Sequence, residues 1–132
     1  MPINDHLSNL VARIRNAQVA RFDQLEVPAT RTVESVVQIL KDEGFIRNFR
    51  VSVEGPRRTV RIFLKQHPEQ GYAIKGMKRV SKLSRRVYVG KDDIPTVRNG
   101  FGVAVISTSQ GVMTGDKARK LAIGGELLFE IW

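Results

Sequence analysis

The spacing of apolar residues switches near residue 45 from a helical period to a strand period. Before the switch, Leu7, Leu10, Val11, Ile14 and Ala17 recur at i, i+3, i+4 and i+7, which predicts a helix over 5–20 with Asn4 or Asp5 as its cap. "TRTVESVVQILKDEGF" repeats the pattern in Val33, Val36, Val37 and Leu40, with Thr30 placed to cap its start and Gly44 to end it. Between the two, "QLEVP" (24–28) reads as a short strand stopped by Pro28. After the switch, "FIRNFRVSV" and "TVRIFLK" alternate apolar and polar residues on either side of "EGPRR", the pattern of a hairpin. A helical stripe and a strand alternation bury different sets of positions, so neither segment type can stand in for the other.

The remainder has the texture of short strands. "YAIKGMKRV" and "RRVYVG" are strand candidates joined by the basic "SKLS", and "KDDIPTVRNGFG" reads as a loop or a turn of helix. "VAVIS" is a buried strand, "TGDKARKLA" a short helix capped by Thr114 and ended by "IGG", and "ELLFEIW" a last strand. The expected fold is therefore mixed α+β in two small lobes. An N-terminal α-β-α-β-β lobe covers 1–66, a Pro- and Gly-containing linker covers 67–71, and a mostly-β lobe with one short helix covers 72–132.

Charge narrows the function. Lys plus Arg number 22 against 13 acids, a net charge of +9, which attracts polyanions. The excess is concentrated. No Asp or Glu occurs from Gly71 to Lys91, a stretch that holds Lys75, Lys78, Arg79, Lys82, Arg85, Arg86 and Lys91. Like charges so crowded repel unless an anion screens them. The first helix adds Arg13 and Asn16, which fall away from the apolar stripe, and Arg15, which flanks it. A membrane-surface helix would need exposed aromatics beside its basic face, and this one has too few. The opening "MPINDHLSNL" does not read as a signal peptide, since no basic residue precedes an apolar block.

Enzymatic chemistry is poorly supplied. There are no cysteines, and the two histidines, His6 and His67, stand apart from any cluster of ligand-type residues. Asp92 and Asp93 are adjacent in a loop and point apart. The hydroxyl run "STSQG", Ser107 to Gly111, has no G-x-S-x-G elbow and no base near it in sequence. No phosphate-binding glycine loop occurs either: "GFGVAV" precedes a strand instead of opening a helix. The chain is thus expected to be no enzyme, with no cofactor, metal or small-molecule substrate.

The hydroxyl run itself has two readings. It is a capped strand-to-helix connection, or a contact loop for something polar. If strands 103–107 and 126–131 pair antiparallel, Ser107 to Gly111 meets Gly124, Gly125 and Glu126. Such a patch offers hydroxyls, bare backbone and one carboxylate, which suits RNA 2′-hydroxyls and base edges in a shallow minor groove. The residues alone leave both readings open.

"VISTSQGVMT…ARKLAIGGELLFEIW" resembles the C-terminal signature of the eighth small-subunit ribosomal protein in its bacterial-type family, and "LVARIRNAQ" resembles its first-helix signature. "LKDEGFI" and "RVYVG" are similar too, so the resemblance covers essentially the whole chain. It implies a structural protein of the small ribosomal subunit that binds the central domain of small-subunit ribosomal RNA early in assembly, beside neighbouring ribosomal proteins. It also implies repression of its own operon's message in some bacteria, and a place on cytoplasmic ribosomes or those of organelles. By motif, the RNA contacts it implies are Ser107, Thr108, Ser109, Gly111, Gly124, Gly125, Glu126 and Tyr88, with Arg13, Arg15 and Asn16 in the first helix. The basic tract adds Lys78, Arg79 and Arg86. Three departures stand out: Gln110 where lysine is usual, Leu83-Ser84 where a proline-glycine turn is usual, and an opening that reads Pro2-Ile3-Asn4-Asp5.

Overall fold

A computed structural model describes residues 3–132, with side chains from His6 onward. The caps expected at Asn4 or Asp5 lie outside the described side chains. Two compact units appear, the first ending at Ile74 and the second running from Lys75 to Trp132.

In the first unit, α1 (Ile3–Val19) is followed by β1 (Gln24–Pro28), α2 (Arg31–Asp42), β2 (Ile46–Glu54) and β3 (Arg57–Leu64). The three strands form one antiparallel sheet in the order β1-β3-β2. The apolar stripes of both helices are buried: Leu7, Leu10, Val11, Ile14 and Ala17 on α1, Val33, Val36, Val37 and Leu40 on α2. They cover the sheet face that carries Val27, Ile46, Val60, Ile62 and Leu64. Each such side chain stabilises the fold by roughly 1.5–3 kcal/mol, which is why the period of two in β3 matters more than any local propensity. Thr30 caps α2 through its hydroxyl, which accepts from Val33 N at 3.1 Å. Beyond Asp42, Gly44 N donates to Lys41 O and Phe45 N to Leu40 O, which closes the helix as expected.

The stretch expected as a linker is not one. Residues 67–71 fall inside the first unit, where β4 (Gln66–His67) pairs with β5 (Gly71–Tyr72). Tyr72 then donates its hydroxyl to Phe22 O at 2.8 Å, and Ala73 N donates to Lys65 O. Proline and glycine here make a tight reversal, and the hydrogen bonds on either side hold it to the unit.

In the second unit β10 (Gly125–Ile131) is the central strand. One edge pairs with β8 (Val103–Thr108), which continues to β9 (Gly111–Thr114). The other edge takes β6 (Met77–Arg79) and then β7 (Tyr88–Val89). The long strands expected at 72–80 and 85–90 are therefore short, because both share one edge of a seven-residue strand. β9 was not expected. Residues 107–111 read from sequence as a strand-to-helix connection or a contact loop, whereas the chain turns back on β8 before the helix begins. The helix α3 (Gly115–Leu121) follows, capped by the Thr114 hydroxyl accepting from Lys117 N at 3.2 Å. It ends at Ala122, which is left-handed at φ 57°, one residue before the "IGG" expected to end it. Ala118 of α3 packs with Ile94, Ile106 and Met113 on one face of the sheet.

Candidate nucleic-acid interface

The hydroxyl run is the tip of the β8–β9 hairpin. Thr108 pairs with Gly111, leaving Ser109 and Gln110 as a two-residue turn. Gly111 completes that turn at φ +115°, a conformation that favours glycine. Thr108 is spent on the turn itself: its Oγ1 donates to Gly111 O at 2.8 Å and accepts from Gln110 N at 3.1 Å. Ser109 and Gln110 are exposed at the tip. The run is thus a hairpin turn ahead of the helix, not a direct strand-to-helix connection, and Ser109 is the hydroxyl presented outward at its tip.

The antiparallel pairing of strands 103–107 and 126–131 occurs, and it brings the Ser107 end of the run to Glu126, while Ser109 and Gln110 stand off at the hairpin tip. Glu126 lies opposite Ser107 on one side and opposite Tyr88 on the other. Directly paired residues project from the same face. Tyr88, Glu126 and Ser107 therefore stand in one row across β7, β10 and β8, with Tyr88 70% exposed at its outer end. Gly124 and Gly125 bring these three strands together. A Cβ on Gly125 would lie 2.1 Å from Ser107 O, and one on Gly124 would lie 2.2 Å from Val89 O. Their bare backbone is thus occupied by neighbouring strands, and their part in the site is to draw those strands together.

Glu126 is held from inside the protein. Its Oε2 accepts from Ser81 Oγ at 2.5 Å and from Arg86 Nη1 at 2.9 Å. Donating that hydrogen bond to the Glu126 carboxylate raises Arg86 above its ordinary value. Arg79, expected among the phosphate contacts, is placed differently. It is half-buried, and its Nη2 donates to Ser81 O at 2.5 Å, while Nε and Nη1 are buried with no partner. Burial pushes Arg79 below its ordinary value, and the Glu126 carboxylate acts in the opposite direction. Arg79 is thus turned inward to Ser81, Lys82 and Arg85 are exposed on the turn that follows Ser81, and Lys78 is exposed on β6 opposite Glu130. Lys82 and Arg85 close a tight turn, each N–H donating to the other's carbonyl, so Leu83-Ser84 makes a two-residue reversal without proline or glycine.

Arg13, Arg15 and Asn16 lie exposed on α1 in the first unit. Arg13 is steadied by Nη1 donating to Glu26 O at 3.2 Å and Nε to Asn9 Oδ1 at 3.4 Å. Arg13 and Asn16 line a groove with Asn9, Phe22 and Glu26. Among the described residues no group of His, Cys, Asp and Glu is arranged to hold a metal ion, and no helix is long and apolar enough to cross a membrane.

The sequence profile of the family described as ribosomal protein S8 matches residues 5–132. The chain belongs to the ribosomal protein S8 family. It is 46% identical to the small ribosomal subunit protein uS8 of Syntrophobacter fumaroxidans over 132 residues, the full length of both chains. It is 45% identical to that of Caldicellulosiruptor bescii and 43% identical to that of Staphylococcus saprophyticus, again over the full length of each. Within this S8 chain, the residue that the sequence reading missed is Ser81. It is the buried polar side chain behind the Tyr88–Glu126–Ser107 row. Nothing in apolar periodicity marks it. Composition does not mark it either, since Ser84 stands in the same tract and is exposed.

Proposed function

We propose that the chain is a non-enzymatic structural constituent of the small ribosomal subunit and that it binds the central domain of small-subunit ribosomal RNA directly, early in assembly. Family membership supports the first part. The observation that carries the second is the row Tyr88–Glu126–Ser107, set between an exposed hydroxyl tip at Ser109 and an exposed basic turn at Lys82 and Arg85. An aromatic ring for stacking, a fixed acceptor and hydroxyls form a surface for reading RNA shape and 2′-hydroxyls. The cations beside it supply attraction without sequence preference. The α1 surface of Arg13, Arg15 and Asn16 is a second, backbone-contacting strip. A message folded like the ribosomal site, including one from the protein's own operon, would meet the same surface.

Footprinting of the purified protein on small-subunit ribosomal RNA tests the proposal. Protection confined to one irregular helix of the central domain is the expected result. Diffuse protection, removed evenly by salt, would overturn direct and specific binding.

A further inference from the structure

Ser81 is fully buried, at 0% exposure, and is the buried polar side chain among the described residues of the core. A serine in such a place is stable only with its hydroxyl satisfied, since an unpartnered buried polar group is costly. Both capacities of its hydroxyl are used. Oγ donates to Glu126 Oε2 and accepts from Val87 N at 3.1 Å. Its backbone is used as well: Ser81 N donates to Leu127 O, and Ser81 O accepts from Arg79 Nη2. These partners lie on both sides of one excursion. The chain leaves β10 after Ser81, turns through Lys82 to Arg86, and returns where Leu127 N donates to Val87 O. The Ser81 hydroxyl spans the root of that basic turn, and its proton goes to the carboxylate that also holds Arg86.

We infer that Ser81 is a positioning residue for the RNA-binding edge. Its hydroxyl ties the basic turn 82–86 to Glu126, so that Arg86, Glu126 and Tyr88 are set before RNA arrives. The inference rests on the RNA-binding reading above. The physical advantage is preorganisation: side chains already ordered need not lose that freedom on binding. Without the hydroxyl, Glu126 keeps Arg86 but loses its inward tether, and Val87 N loses its acceptor. The residues that touch RNA would remain present but would be free to take other arrangements. The loss should fall on discrimination between RNA shapes, because unspecific attraction depends only on the number of cations.

The test compares the intact protein with Ser81→Ala and Ser81→Cys, the second being nearly isosteric with a weaker donor. Affinity for a central-domain RNA fragment and for an unrelated RNA hairpin is measured across a salt series, at a temperature where circular dichroism shows each variant folded. Ser81→Ala is expected to bind the central-domain fragment about tenfold more weakly, with the hairpin affinity and both salt slopes unchanged, and Ser81→Cys to fall between. In a Glu126→Gln background the Ser81→Ala change should add little further loss, because the two act as one unit. Full retention of discrimination by Ser81→Ala, or simple additivity with Glu126→Gln, would overturn the inference. An intact protein that does not prefer the central-domain fragment would instead overturn the RNA-binding reading itself.

Discussion

Thr108 and Ser109 are neighbours with opposite uses of the same group. The Thr108 hydroxyl is consumed by the hairpin, donating to Gly111 O and accepting from Gln110 N. Ser109 sits at the exposed tip. Replacing each by alanine should separate fold from contact. Thr108→Ala is expected to lower stability by about 1 kcal/mol, the net worth of such a bond, in urea denaturation. Ser109→Ala should leave the unfolding midpoint in place and weaken binding to the central-domain RNA at fixed salt by a similar free energy. A stability loss for Ser109→Ala equal to that for Thr108→Ala would remove the distinction. Gln110 belongs to the same tip. Its side chain is neutral, so this turn presents hydroxyl, amide and backbone groups and no charge.

At the level of elements, β10 governs the second unit, because every other strand of its sheet depends on it directly or through β8. Three strands converge at its start, and Gly125 is where they touch. Gly125→Ala would drive a Cβ against the Ser107 carbonyl, a backbone atom that cannot turn aside. The expected cost is about 3 kcal/mol, at the upper end for overpacking, seen as a lower unfolding midpoint together with loss of RNA binding. Near-native stability would show that the strands part easily and that the row Tyr88–Glu126–Ser107 is loosely held. That strand 103–107 runs beside strand 126–131 was legible from the sequence, since both are apolar and must be buried, but the register that sets Ser107 opposite Glu126 was not. Both long helices and the β2–β3 hairpin, whose periods are sustained over many residues, were legible too. β9 was not legible. Its four residues are too few for alternation to show, and Thr114 belongs at once to the strand's end and the helix's cap. β6 and β7 were overextended for the converse reason: the local pattern suits a strand, but β10 offers each only part of one edge. Ser81 was hidden because its role depends on Glu126, 45 positions away along the chain.

For the molecule as a whole, the proposed function divides the work in two: the net charge of +9 would draw in any RNA, and the row on β7, β10 and β8 would select among them. The two contributions respond differently to salt. Each cation that neutralises a phosphate releases a counterion, so removing it lowers the steepness with which log K falls against log salt by roughly 0.7–0.9. Lys82 and Arg85 are exposed at the basic turn, and their turn is closed by backbone bonds that their side chains do not make. The double change Lys82→Ala, Arg85→Ala should therefore leave the fold intact and reduce the slope by roughly 1.4–1.8, twice the single-cation figure. It should do so for the central-domain fragment and an unrelated hairpin alike. Arg79, although equally cationic in sequence, is half-buried with its guanidinium turned to Ser81, so Arg79→Ala should act chiefly on stability. Measuring K from low to physiological salt for the three proteins decides the matter. If the double variant keeps the full slope while Arg79→Ala reduces it, the phosphate contacts lie at Arg79 and the assignment of the exposed turn to attraction is wrong.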